Sequence, residues 1–248
     1  MAALLATQVL FIAAMLADLA FPLPLPDEHD RGAVVTSADG TPLRAFADTG
    51  GIWRYPVAPE QVSPLYVDAL LAYEDRWFWR HPGINPVAML RAAGQWTRSG
   101  RVISGGSTLT MQVARILDTK REGRATSART PTRKVRQMLR ALQLEVHLSK
   151  REILSLYLNH APFGGTVEGV EAASWAYLGK PSSRLSHAEA ALLAVLPQSP
   201  SRLRPHREPE RARVARDKVL ARMRDLRVWT PAQVSDARID PVVARSLQ

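Results

Sequence analysis

Two adjacent carboxylates in apolar surroundings are the first residues of this sequence that could do acid–base chemistry. Glu74 and Asp75 end an apolar stretch and stand among four aromatic residues and His81, in the string YEDRWFWRHPG. Burial among apolar groups raises the pKa of a carboxyl, which suits a general acid or base. The string is equally typical of a helix end that turns at Pro82-Gly83, with its aromatics in the core and its acids in solvent. Composition alone leaves both interpretations open.

A glycine pair followed by hydroxyl residues forms the second candidate site. Gly105 and Gly106 precede Ser107 and Thr108, and an amphipathic segment follows. The N–H groups at the start of a helix favour anions, so this pattern predicts a phosphate cradle. It is not a P-loop, because the Gly-Lys-Ser/Thr ending is absent. An ordinary loop and helix cap would have the same residues.

A basic run forms the third candidate site. Residues 115–151 contain eleven Lys or Arg against three acids, and Arg133, Lys134, Arg136 and Arg140 crowd one predicted helix. Like charges three and four residues apart on a helix repel each other, and a bound anion would relieve that repulsion. DNA, a phosphate-bearing lipid or substrate, and plain solvated surface all remain open as explanations.

The overall composition is that of a globular chain with an uneven charge distribution. Its 248 residues are 46% hydrophobic and 23% charged, which is enough for one domain with a core. The absence of cysteine excludes a disulfide scaffold, a thiolate zinc site and a cysteine nucleophile. No Lys or Arg precedes Arg31, so the net charge of +10 hides a body, residues 31–248, with 33 positive and 19 negative side chains.

The first 26 residues predict a membrane anchor. Residues 2–21 are almost continuously apolar, and twenty residues of helix span about 30 Å, the thickness of a bilayer core. A proline-rich stretch then returns the chain to water. A cleaved secretory signal and a buried core helix are the alternatives, although no basic residue precedes the apolar run and Asp18 would sit three residues before the bond cut after Ala20.

The body is predicted to be one mainly α domain over residues 33–226, followed by a tail at 227–248. An Asp39-Gly40 turn between two apolar stretches indicates a β-hairpin near its start. Helices are expected to begin at Ser63-Pro64 and Asn85-Pro86, and Thr132 is expected to cap a helix that runs to Leu148. Three capping boxes follow, at Ser149/Glu152, Ser186/Glu189 and Thr230/Gln233.

These stretches, in this order, resemble the motifs of the family-51 peptidoglycan glycosyltransferases, the polymerase module of class A penicillin-binding proteins. The first motif, E-D-x-x-F-x-x-H-x-G, matches Glu74, Asp75, Phe78, His81 and Gly83. The second, G-G-S-T-x-T-x-Q with a following basic residue, matches Gly105, Gly106, Ser107, Thr108, Thr110, Gln112 and Arg115. The fourth, K-x-x-I-L-x-x-Y-L-N, matches Lys150, Ile153, Leu154, Tyr157, Leu158 and Asn159.

The third motif, R-K-x-x-E, is incomplete. Arg133 and Lys134 match, but Gln137 stands where glutamate is expected. Glu145 lies eight residues further on, about 12 Å along a helix, which makes it a poor substitute. The strings RQMLRALQLE, APFGGT and LPQSPSRLRP are most similar to the 1C branch of these proteins.

The resemblance implies a lysozyme-like, mainly α fold on the outer face of the bacterial cytoplasmic membrane, held by a single N-terminal transmembrane helix. The implied substrates are lipid II and the growing glycan strand. Glu74 would be the general base and Gln137 would occupy the second catalytic position. The implied substrate-binding residues are Asp75, Phe78, His81, Ser107, Thr108, Gln112, Arg115, Arg133 and Lys134. A divalent cation, Mg²⁺ or Mn²⁺, on the substrate pyrophosphate is the one cofactor left open, and no protein metal ligands are expected.

Class A proteins continue into a transpeptidase with a Ser-x-x-Lys nucleophile, a string that is absent here. The sequence is therefore expected to be a truncated or split product, or a polymerase that works beside a separate transpeptidase. Two other functions stay open. One is a lysozyme-like lytic hydrolase that uses Glu74 as an acid. The other is a membrane-tethered nucleic-acid binder, which only the basic composition suggests and which we expect not to apply.

Overall fold

A computed structural model describes residues 18–26, 33–38, 42–99, 106–122 and 130–245, together with Gln8 and Met15. Its strands are β1 (Val34–Thr36), β2 (Pro42–Ala45), β3 (Pro162–Gly164) and β4 (Val167–Glu168). Its helices are α1 (Pro64–Glu74), α2 (Pro86–Ser99), α3 (Leu109–Glu122), α4 (Pro131–His147), α5 (Lys150–His160), α6 (Val170–Leu178), α7 (His187–Val195), α8 (Pro209–Asp225) and α9 (Pro231–Ile239). The described part of the chain is mainly α, as predicted.

The predicted hairpin is present near the start of the domain. β1 and β2 pair antiparallel, with Val34 opposite Ala45, while the turn residues 39–41 lie outside the described ranges. A second small antiparallel pair joins β3 and β4, and a single bridge connects Val167 of β4 to Trp53.

A helix that is apolar on almost every side organises the core. All residues of α7 from Ala188 to Val195 are buried except Glu189, as expected for a helix surrounded by protein. It packs against α1 and α8, and α3 packs against α4 and α5 in a second group of helices. α1 ends at Glu74 and α3 begins at Leu109, so the two groups meet where the predicted motifs lie.

Side-chain caps fix the helix starts largely where the sequence predicts them. Ser149, Ser186 and Thr230 each accept a backbone N–H and form complete capping boxes with the residue three positions on. The start of α4 differs from the prediction. Thr130, not Thr132, caps this helix, because Pro131 takes its first position and lacks only an N–H that the helix would not use.

The core continues past residue 226, the predicted end of the domain. Trp229, together with Val234 and Ala237 of α9, is buried in the same hydrophobic core, and α9 packs against α8. Beyond α9, the backbone N–H of Arg245 donates to the carbonyl of Tyr177 in α6 at 2.7 Å. Much of the predicted tail therefore belongs to the domain.

The end of the apolar N-terminal segment contacts α4 through polar groups. Asp18 accepts a hydrogen bond from Nε2 of Gln143 at 2.5 Å and lies 2.8 Å from Nε2 of His147. Arg140 donates to the backbone carbonyl of Phe21 at 3.0 Å. Three side chains spread along α4 therefore hold the residues that lead into the domain.

No helix within the described ranges is long and apolar enough to cross a membrane. Most of the predicted anchor, residues 1–26, lies outside those ranges. The anchor stays a prediction.

Candidate active site

Glu74, the last residue of α1, is held by two amides from distant parts of the chain. Nε2 of Gln112, in the first turn of α3, donates to Oε2 at 2.8 Å. Nε2 of Gln198, in the short helical turn Leu196–Gln198 that follows α7, donates to Oε1 at 2.6 Å. Burial raises the pKa of Glu74 above its ordinary value, although both amides and the charge of Arg115 act in the opposite direction. A carboxylate with both oxygens oriented and a raised pKa is suited to accept a proton.

Asp75, the next residue, connects α1 to α3. Its side chain is buried, and its two carboxylate oxygens lie 2.9 and 3.0 Å from Nε2 of His81. One of them also accepts the backbone N–H of Leu109, the first residue of α3, at 2.8 Å. A negative charge at the start of a helix is stabilised by the unpaired N–H groups there. Asp75 therefore holds the C-terminal end of α1, with Glu74, beside the first turn of α3, with Gln112.

Thr108 and Gly83 bring the loop after the first motif against the helices. The hydroxyl of Thr108 donates to the carbonyl of Gly83 at 2.5 Å and accepts the N–H of Met111 at 3.1 Å, so Thr108 caps α3. Gly83 has a φ of +81°, and a Cβ there would lie 2.7 Å from the carbonyl oxygen of Ala141 in α4. Only glycine fits both the backbone conformation and the close approach.

A half-buried ion pair supports the other side of this loop. Nζ of Lys150 lies 2.6 Å from Oε1 of Glu145, donates to the carbonyl of His81 at 2.6 Å, and lies 4.7 Å from the ring centroid of the fully buried Phe78. The hydroxyl of Thr110 donates to the same oxygen of Glu145 at 2.6 Å. These contacts join α3, α4 and α5 beneath the site.

Four of the predicted substrate-binding residues thus have their contacts inside the protein. Asp75, Phe78, His81 and Thr108 are all buried. The structure brings them together as support for Glu74 and the start of α3. Direct contact between any of them and a substrate stays a prediction.

Ser107, Lys134 and Arg115 form a basic edge beside Glu74. Nζ of Lys134, in the first turn of α4, hydrogen-bonds to Oγ of Ser107, just before α3. Arg115 is exposed and lies three residues after Gln112, on the same face of α3. Burial and the charge of Arg115 both lower the pKa of Lys134, so the two cations lie within electrostatic reach of each other. An anion between them would stabilise both.

Gln137 and Arg133 extend this edge along α4. Arg133 precedes Lys134, and Gln137 lies one turn later, half-buried, on the same side of the helix. The amide of Gln137 carries no charge. Glu145 does not replace the glutamate expected at position 137, because Glu145 forms an ion pair with Lys150.

The donors at this edge do not fit a protein-bound divalent cation. Within the described ranges no three His, Asp or Glu side chains come together as metal ligands would, and the residues one turn before Gln137 on α4 are the cations Arg133 and Lys134. A cation carried by the substrate pyrophosphate remains a prediction.

Gln198 is not among the site residues predicted from the sequence. It lies 124 residues after Glu74, in a proline-rich loop with no periodic pattern. Gln198 belongs to the string LPQSPSRLRP that carries part of the family resemblance, and it directly follows an almost entirely apolar helix, but neither signal indicates what its side chain contacts.

Comparison with known proteins identifies the family. The sequence profile described as "Transglycosylase" matches residues 39–224, a range that includes Glu74, Gln112, Lys134 and Gln198. The chain belongs to the transglycosylase family. The resemblance seen in the motifs is therefore confirmed.

The chain is similar to much longer relatives. It is 61% identical to penicillin-binding protein 1C of Escherichia coli (strain K12) over 234 residues, which are 94% of this chain and 29% of that protein. It is 40% identical to penicillin-binding protein 1A of Aquifex aeolicus (strain VF5) over 202 residues, 82% of this chain and 27% of that one. This transglycosylase chain thus spans less than a third of the length of either relative.

A solved structure has the same fold. The crystal structure of penicillin-binding protein 1A from Haemophilus influenzae aligns with 90% of this chain and 22% of its own, with a TM-score of 0.50 and 23% identity. At that identity the likeness concerns the fold alone, and it agrees with the mainly α architecture described above.

Proposed function

We propose that this chain is a peptidoglycan glycosyltransferase module that joins lipid II units into glycan strands. The observation that carries the proposal is the arrangement around Glu74. A carboxylate with both oxygens held by amides lies within reach of the charge of Arg115, which in turn acts on Lys134. A base beside a pair of cations suits a reaction that deprotonates a sugar hydroxyl and expels a pyrophosphate.

In the proposed reaction, Glu74 removes the proton from the 4-hydroxyl of the acceptor lipid II. The hydroxyl oxygen forms a bond to the anomeric carbon of the donor strand, while the bond from that carbon to the lipid pyrophosphate breaks with inversion. The proton ends on Oε1 or Oε2 of Glu74. Gln112 and Gln198 keep both oxygens oriented, so little reorganisation is needed when the hydroxyl approaches.

The leaving group determines the role of the basic edge. Undecaprenyl pyrophosphate gains negative charge as the bond breaks, and preorganised cations stabilise such charge more in the transition state than before it. Arg115, Arg133 and Lys134 are the proposed cationic contacts, with the Ser107 hydroxyl holding Lys134 in place. Gln137 is proposed to contribute hydrogen bonds rather than charge at the family's second acidic position.

The proposed location follows from the N-terminal segment and the substrate. Residues 1–26 would anchor the chain once in the cytoplasmic membrane, with the catalytic domain on the outer face, where lipid II is used. A transpeptidase acting on the same strands is an expected partner, supplied by a further part of the protein or by another chain.

The decisive experiment gives the purified chain lipid II in detergent and follows polymer formation. We expect polymer from the native chain and a loss of about 10²- to 10⁴-fold in Glu74→Gln, the usual contribution of a general base. Glu60→Gln is the matched control, because Glu60 is exposed and pairs only with the exposed Arg151 among the described residues. It should polymerise at the native rate.

A parallel incubation with finished peptidoglycan tests the hydrolase alternative. Soluble muropeptides that disappear in Glu74→Gln, without polymer from lipid II, would replace the proposal by a lytic activity. DNA retention that falls steeply with salt and does not respond to Glu74→Gln, again without polymer, would support nucleic-acid binding instead.

A further inference from the structure

We propose that Gln198 is a positioning residue of this glycosyltransferase site, holding one oxygen of Glu74 while Gln112 holds the other. The inference rests on the proposed role of Glu74 as the base. It adds a residue from the turn that follows α7, outside the first four motifs, to the machinery of the reaction.

Two donors on opposite oxygens restrict a carboxylate more than one donor does. A glutamate side chain rotates about three bonds, and a single hydrogen bond to Gln112 would leave the plane of the carboxylate free to turn about that contact. The second bond, 2.6 Å from Gln198 to Oε1, comes from a separate element and fixes the plane. Both supports are anchored, since α3 is capped by Thr108 and the turn that ends at Gln198 contains the buried Leu196 and Pro197.

Exposure distinguishes the two amides. Gln112 is half-buried, whereas Gln198 is exposed, so Gln198 lies on the solvent side of Glu74. The acceptor hydroxyl must approach from solvent, and Oε1 has a second lone pair that remains available to it. Because Gln198 does not belong to the core, its replacement should leave the fold intact.

The side-chain N–H of Gln198 favours the ionised form of Glu74. Removing the donor should therefore raise the pKa of Glu74, and a cation in the same place should lower it. The other titratable groups that act on Glu74, or on which Glu74 acts, are the same residues in every variant: Asp75, Arg115, Tyr66, Tyr73 and Tyr157. Gln198 also hydrogen-bonds to Tyr73, but burial raises the pKa of Tyr73, so this phenol stays neutral across the acid side of the profile. A difference in pH profile between the variants is therefore caused by the side chain at position 198.

The test compares Gln198→Met, which keeps the length without a donor, with Gln198→Lys, which keeps a donor and adds charge. kcat and KM for lipid II polymerisation are measured across the acid side of the pH profile, with thermal unfolding of each variant. In Gln198→Met we expect the acid limb to move up by about one pH unit and the rate on that limb to fall about tenfold. In Gln198→Lys the limb should move down. Gln233→Ala, a change at a distant helix cap, should leave the profile unchanged.

Acid limbs that coincide in all variants, or that move in the same direction for Met and Lys, would overturn the inference. A fall in rate explained by a lower unfolding midpoint, with an unshifted pH profile, would also overturn it. If Gln198→Met unfolds, Gln198→Lys alone still tests the sign of the shift. Full activity in Glu74→Gln would instead refute the proposed role of Glu74, so the two failures are distinguishable.

Discussion

Replacing Asp75 by alanine should separate a supporting role from a substrate-binding one. The change leaves Nε2 of His81 and the backbone N–H of Leu109 buried without their acceptor. Hydrogen bonds to a charged group contribute about 1.5–3 kcal/mol each, so losing both should cost about 3–6 kcal/mol. In a domain of this size, that corresponds to a fall in the unfolding midpoint of about 10 °C. Asp75→Asn keeps one acceptor oxygen and should cost less.

Thermal unfolding and polymerisation kinetics on the same preparations measure both effects. If Asp75 acts by holding α1 beside α3, kcat should fall because Glu74 is displaced, with little change in KM. The reasoning is refuted if Asp75→Ala unfolds at the native midpoint while KM for lipid II rises about tenfold or more, an effect of about 1.4 kcal/mol on binding. That result would make Asp75 a direct substrate contact.

Three further changes test other parts of the site. Because burial raises the pKa of Glu74, its contribution to the free energy of unfolding falls as pH rises through that pKa. Glu74→Gln should therefore raise the unfolding midpoint more at pH 8 than at pH 4.5; an equal change at both would contradict this. Gly83→Ala should lower the free energy of unfolding by about 1–3 kcal/mol in urea melts, whereas Gly94→Ala, where the added Cβ meets open space inside α2, should not be destabilising. Lys150→Met leaves the half-buried Glu145 without its cation and should cost about 1–3 kcal/mol, and adding Glu145→Gln should recover part of the loss.

Local sequence signals predicted where the helices start. The contacts between helices depend on residues far apart in the sequence and could not be predicted from such signals. The capping box at Ser149 is readable because the cap and its partner lie within four residues. The error at α4 was also local: the string Thr130-Pro131-Thr132 offers two hydroxyls, and only the position of the proline selects the first.

In the candidate site, too, local features were predictable from the sequence and long-range contacts were not. Glu74 was predictable as a residue with a raised pKa, because its apolar neighbours are adjacent in the sequence. That Asp75 turns inward could not be predicted, because its partner N–H lies 34 residues away. Gln198 was missed for a stronger reason, since an exposed amide in a loop has no pattern that points to a carboxylate 124 residues earlier.

The contacts along α4 have a geometric consequence. Lys134 lies in its first turn, and His147, at its end, contacts Asp18 of the N-terminal segment. Thirteen residues of helix separate the two, about 20 Å at helical rise. The length of α4 therefore fixes the distance between the basic edge and the point where the N-terminal segment joins the domain. If that segment is the proposed anchor, the length of α4 sets the depth at which a lipid-borne pyrophosphate meets Lys134. Inserting or deleting a turn of α4 would then misplace the substrate headgroup without altering a single catalytic side chain.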